Sequence, residues 1–185
     1  MALRGRNKLV DEHFFFISTT IINFIKIFTT DRYCDILIDN IKHYQKRYEF
    51  EILAYCIMPS HFHWIINTNT LKGNVSAIMR DIKKYSSWEI LEQLRADQSP
   101  LLMKFQTKSL PGQKYQFWMH RFDDLVIRNQ KMLWNEIRYI HNNPVKAGIV
   151  NRPEDYKYSS ARNYLFDDHS VLVVEKSWAG IEIMR

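Results

Sequence analysis

Apolar and polar positions alternate with different periods along the chain, and the period divides it into elements. The run HFFFISTTII, from His13 to Ile22, is apolar at odd and even positions alike and rich in Phe, Ile and Thr. That pattern predicts a central strand covered on both faces. From Asp31, a candidate N-cap, DRYCDILIDNIKHYQKRY places Ile36, Leu37, Ile41 and Tyr44 at helical spacing. EFEILAYCIM and HFHWIINT then read as two strands joined by a Pro-Ser turn, a hairpin. A second helix is predicted after Asn74, with Val75, Ile78, Met79, Ile82 and Tyr85 on one stripe, continuing or restarting through SSWEILEQLR.

Residues 96–113 contain Pro100, Pro111 and Gly112 and read as a loop. KYQFWMHRF, from Lys114, is the next candidate strand, and NQKMLWNEIRYIHNN a helix stopped by Pro144. The order strand, helix, strand, strand, helix, strand, helix fits an α+β fold. The expectation is a ferredoxin-like antiparallel sheet with helices on one face, plus an added helix carrying Tyr139. Many unrelated functions use that architecture, so function has to come from particular residues.

The composition narrows the setting. At 185 residues, 46% hydrophobic and 25% charged, the chain suits one ordinary globular domain, here taken as 1–164 with an extension at 165–185. The apolar block from His13 is interrupted by Asn23 and Lys26, too short to span a bilayer and without a signal-peptide cleavage site. Cys34 and Cys56 lack metal-like spacing and predict no disulfide framework, so no membrane partner is expected and the cytoplasm is the expected compartment. Lys plus Arg exceed Asp plus Glu by 26 to 20, a balance that favours a polyanionic partner.

Two stretches carry candidate chemistry. In CIMPSHFHWIINT, strand alternation puts His61 and His63 on one face, about 6.6 Å apart, while Phe62, Trp64 and Ile66 point into a core. The imidazoles can converge on one ion or phosphate, or simply sit on a solvated face. A histidine-triad hydrolase would need a third His where Ile65 stands, and a His-x-His amidohydrolase needs a barrel longer than this chain.

In YIHNNPVKAG, Leu133, Ile137 and Ile140 share the core side of the helix, whereas Tyr139 and Asn143 lie about 40° from each other and roughly 100° from that cluster. An interfacial Tyr with a helix-capping Asn is the plain reading. The sharper one is a phenol able to attack phosphorus, with an amide oxygen one turn away. His141 falls on another side and reads as structural.

Taken together, MPSHFHWII, RYIHNNPVKAGIV and RPEDYKYSSARNY, in this order, resemble the single-tyrosine HUH transposases, in particular their REP-associated tyrosine transposase branch. The resemblance runs from about Phe14 to Tyr164. It implies an enzyme that cuts and rejoins single-stranded, hairpin-bearing DNA through a 5′-phosphotyrosine, releasing a 3′-hydroxyl. It also implies Tyr139 as nucleophile, with His61, His63 and Asn143 holding Mg²⁺ or Mn²⁺. Related insertion-sequence enzymes often have Gln where Asn143 stands. No general base is legible.

For DNA contacts the candidates are Lys83, Lys84, Lys114, Arg121 and Arg128, within a wider basic set including Lys72, Arg80, Lys104 and Lys108, with Tyr115, Phe117, Trp118 and Phe122 interleaved. Each aromatic alone reads as core and each cation alone as solvated. The competing functions are a non-catalytic single-strand binder on the same fold and a phosphodiesterase that forms no adduct. A monomer and a homodimer are both compatible with the sequence.

Overall fold

The computed structural model of the protein describes residues 13–107, 112 and 114–176. The basic stretch Arg4–Lys8, Lys108 and the tail after Lys176 lie outside the described residues. Four strands form one sheet: β1 (Phe14–Thr20), β2 (Glu51–Met58), β3 (His61–Asn67) and β4 (Asp123–Val126). Their order is β2-β3-β1-β4, and every neighbouring pair is antiparallel. With α1 (Asp31–Tyr48) between β1 and β2, and α2 (Val75–Ala96) between β3 and β4, this is the split βαβ arrangement of a ferredoxin-like fold.

Strand alternation separates two cores. Phe15, Ile17, Phe62, Trp64 and Ile66 point to the face covered by α1 and α2, where they meet Leu37, Ile41, Ile78 and Ile82. Ile65, Cys56 and Met58 point to the opposite face, against Leu133, Ile137 and Ile140 of α3 (Gln130–Lys146). In β2 a bulge between Ile52 and Ala54 turns Leu53 and Ala54 both toward α3, while Ile52 and Tyr55 keep the other face.

Several predicted boundaries shift for physical reasons. The strand expected at 114–122 is instead β4 at Asp123–Val126. Phe117 and Trp118 are consecutive and both buried, and their segment bonds to loops through Gln116 N to Phe105 O (2.8 Å) and Met119 N to Thr20 O (2.8 Å). A short, charged strand such as β4 suits a sheet edge. β1 is not covered equally: Phe15, Ile17 and Thr19 are buried, but Phe14, Phe16 and Ser18 are half-buried. Thr30 holds the N-cap position of α1, so Asp31 opens the helix and binds Lys157 and Tyr158 at 2.6 Å each.

α2 is one unbroken helix, capped where Asn74 Oδ1 accepts the Ala77 N–H at 2.9 Å. Its buried stripe continues through Ser86, Ile90 and Leu94, leaving Tyr85 exposed. Pro144 does not stop α3. It removes one helical hydrogen bond, yet the last turn continues through Ala147 N to Asn143 O (2.9 Å) and ends on Gly148, whose φ of +67° provides the left-handed exit.

The outer edge of β2 is closed by the C-terminal part of the chain. Ile57 N donates to Tyr158 O (2.9 Å), Ser160 N to Tyr55 O (2.9 Å) and Glu175 N to Ile52 O (2.8 Å). Leu172 and Val174 are buried there, after a short helix α4 (Ala161–Phe166).

Candidate active site

His61 and His63 project from β3 on the same side as Ile65, facing α3. β3 is flanked by β2 and β1, with His63 opposite Cys56 and Ser18, so its backbone is held from both sides. The two imidazole centroids are 4.8 Å apart at 73°. Tyr139 approaches from α3, its ring 5.4 Å from His63 in an edge-on arrangement. Phe16 of β1 completes the cluster, stacked on His63 at 5.7 Å and edge-on to Tyr139 at 5.9 Å. The aromatic contacts fix the plane of His63 and the approach of Tyr139.

Burial sets the protonation of the pair. His63 is 5% exposed, and desolvation, reinforced by the charge of neighbouring His61, pushes its imidazole down to about 3. Burial lowers His61 as well. Both rings are therefore neutral at pH 7 and keep a lone pair each, the state in which imidazole binds a metal. His61 Nδ1 lies 3.3 Å from Ser60 Oγ, whereas His63 Nδ1 is buried without a hydrogen-bond partner.

Among the described residues no cluster of three His, Cys, Asp or Glu side chains is placed to hold a metal. An amide or hydroxyl oxygen among the described residues can serve as a third donor to the pair. Asn143 lies one turn beyond Tyr139, its Nδ2 donating to Tyr139 O at 2.8 Å, which engages the amide nitrogen and not the carbonyl oxygen. Two neutral imidazoles, one of them unpartnered, and an amide oxygen fit a divalent cation that keeps open positions.

Tyr139 is 40% exposed, so it sits at the surface margin of the cluster. Lys146 Nζ lies 5.5 Å from its ring centroid, bringing a positive charge beside the phenol. Glu136, one turn before Tyr139, is half-buried and its carboxyl is raised by desolvation. His141 faces elsewhere: its Nε2 is 2.8 Å from Ser160 Oγ, which also accepts the Tyr55 N–H at 2.9 Å. The structure thus brings His61, His63 and Tyr139 together, with Asn143 adjoining. Phe16 and Lys146 join them without having been singled out from the sequence.

The basic candidates divide. Lys83 and Lys84 line a cleft of about 380 Å³ between α2 and the 115–122 segment, together with Arg80, Tyr115 and Phe122. Lys83 Nζ donates to Met119 O (2.7 Å) and His120 O (3.2 Å), so it ties the cleft wall in place. Lys84 lies 5.0 Å from the Tyr85 ring. Lys114, Arg121 and Arg128 are exposed and do not line the cleft, and Phe117 and Trp118 are buried beneath it.

Comparison with known proteins gives a consistent result. The family model "Transposase IS200 like" matches residues 19–143. A protein named as a REP-associated tyrosine transposase in Haemophilus influenzae is 26% identical over 164 residues, covering 85% of this chain and 86% of its own. The REP-associated tyrosine transposase of Escherichia coli K12 is 30% identical over 111 residues, 60% of this chain and 54% of its own. Among solved structures, that of a REP-associated tyrosine transposase bound to a REP hairpin superposes with a TM-score of 0.62 at 22% identity, covering 93% of this chain and 89% of that one. At that identity the superposition speaks for the fold.

Proposed function

The chain belongs to the IS200-like transposase family, with REP-associated tyrosine transposases as homologues, and from that membership we propose that it cleaves and rejoins single-stranded, hairpin-bearing DNA through a covalent bond to Tyr139. The observation that carries this reading is the approach of the Tyr139 ring to within 5.4 Å of His63, across a helix and a strand of the same chain. His61, His63 and Tyr139 of a single chain lie together in this arrangement, which is compatible with a monomer acting by itself or within a homodimer.

In the proposed reaction the Tyr139 oxygen attacks the scissile phosphorus. A phosphorus–tyrosyl oxygen bond forms, the bond to the 3′ oxygen breaks, and the departing 3′ oxygen takes up a proton as the phenol gives one up. The phosphotyrosyl ester retains the energy of the broken diester, so a second 3′-hydroxyl can reverse the step and join a new strand. Phe16 holds the His63 plane by stacking, and the packed Leu133, Ile137 and Ile140 hold α3 against the sheet. Lys146, its Nζ 5.5 Å from the Tyr139 ring centroid, would bring a positive charge beside the phosphate as it meets Tyr139. A bound Mg²⁺ or Mn²⁺, held by His61, His63 and Asn143, would act as Lewis acid on the scissile phosphate.

The test is a denaturing gel with labelled hairpin-bearing single strands in Mn²⁺, Mg²⁺ or EDTA. The expected result is a metal-dependent band that survives SDS and is absent in Tyr139→Phe. Full cleavage by Tyr139→Phe, or DNA binding with no adduct across a pool of candidate sites, overturns the reading.

A further inference from the structure

The cleft between α2 and residues 115–122 lies on the α1/α2 side of the sheet, away from the histidines, yet at the same end of it. Its wall is fixed by Ile22 N to Phe117 O (2.8 Å) and Met119 N to Thr20 O (2.8 Å), and Thr20 is the β1 residue paired with His61. A strand leaving the cleft has only to round the end of the sheet to reach His61.

The cleft has a defined chemistry. Tyr115 and Phe122 are half-buried in its lining, with Arg95 Cζ 5.9 Å from the Tyr115 ring centroid and Lys83 Nζ 5.9 Å from that of Phe122, and Arg80 and Lys84 stand at the rim. Arg80 is held in place although its side chain is 67% exposed. Its Nε donates to Asp81 Oδ1 at 2.7 Å, and Asp81 is buried and takes the Tyr48 hydroxyl on Oδ2 at 2.6 Å. Tyr48 in turn lies flat against Gly73, where a Cβ would come within 2.5 Å of the ring. Asp81 engages the Nε edge of the guanidinium and leaves its outer edge toward solvent, an arrangement suited to a phosphate.

We propose that this cleft holds one unstacked nucleotide of single-stranded DNA, its base against Tyr115 and Phe122 and its phosphate on Arg80. The proposal rests on the reading that the substrate is single-stranded DNA. Every base has a π-face but only an unpaired one can leave its stack to use it, so the site discriminates strand state and tolerates sequence. Duplex DNA could meet the rim cations but not the aromatic walls.

The experiment uses the full chain in EDTA with two probes, fluorescein-labelled oligothymidylate and a blunt DNA duplex of equal charge. Arg80→Gln is expected to weaken oligothymidylate binding about tenfold, within the range of a lost phosphate contact plus a misplaced base, and duplex binding no more than about twofold. In the unmodified protein, oligothymidylate carrying 5-iodouracil is expected to photo-crosslink to the peptides containing Tyr115 or Phe122, a readout that needs no variant to fold. Equal losses on both probes, no loss on either, or crosslinks confined to other segments overturn the proposal. The adduct at Tyr139 is assayed in parallel. Its presence with a silent cleft overturns this inference alone, and its absence in the unmodified protein overturns the catalytic reading whatever the cleft does.

Discussion

The two faces of the sheet differ by a single step along the strand. On one, Phe62, Trp64 and Ile66 are at most 1% exposed and pack against α1 and α2. On the other, the intervening His61 and His63 meet one helix, with Tyr139 40% exposed and Phe16 half-buried at its margin. Covering a face with two helices excludes water, and covering it with one leaves a polar margin where chemistry can reach substrate. The β3 backbone serves both faces at once, so the closed core on one side holds the histidine pair in place on the other.

That contrast can be broken most directly at adjacent positions. Trp64→Ala is expected to lower stability by about 3–5 kcal/mol in chemical denaturation, a large-to-small change in a closed core. His63→Leu is expected to abolish the SDS-resistant adduct while leaving the metal-free protein as stable or about 1 kcal/mol more so, because it removes a buried nitrogen with no partner. Should His63→Leu unfold the protein as Trp64→Ala does, the two faces are not functionally distinct.

A pH titration sharpens the comparison at the far side of α3. Burial pushes His141 down to about 4, against about 6.5 in the unfolded chain. The folded state thus binds fewer protons, its stabilisation is complete above pH 6.5, and it is lost as pH falls toward 4, by up to about 3 kcal/mol. His141→Gln should flatten the stability curve over that window, and an unchanged slope would remove His141 as its source. Smaller effects follow. Gly73→Ala should cost about 1–3 kcal/mol by overpacking Tyr48, seen as a lower denaturation midpoint. Lys146→Met should slow adduct formation by about two- to fivefold, the size of an exposed cation–ring contact, with Lys146→Arg close to unchanged.

Much of this was legible because the periods are clean. In β3 the face of each residue followed from strand parity, His61 and His63 on one side and Phe62, Trp64 and Ile66 on the other, and Leu133, Ile137 and Ile140 marked the buried side of α3. The run FFFISTT carries no such information, being apolar at both parities. Phe16 therefore could not be placed beside His63 before the β1–β3 register put Ser18 opposite it. The 115–122 segment misled for a related reason: aromatic richness suggested a strand, but consecutive buried rings belong to a loop packed edgewise. Arg80 looked like any surface cation, since its restraint depends on Asp81, Tyr48 and Gly73, which only tertiary packing assembles. The three-motif order led to the same family that the comparisons show.

The closed edge of β2 carries a consequence in time. Its partners lie far downstream: Tyr156 hydroxyl bonds Ile57 O across 99 positions, Ser160 bonds Tyr55 across 105, and Tyr164 bonds Leu53 across 111. At translation rates of about 5–20 residues per second, β2 emerges roughly 5–20 s before the segment that covers it. During that interval the nascent chain presents a bare, strongly apolar strand whose free N–H and C=O groups can template pairing with another polypeptide. The last-made part of the described chain is thus a seal on its most adhesive edge.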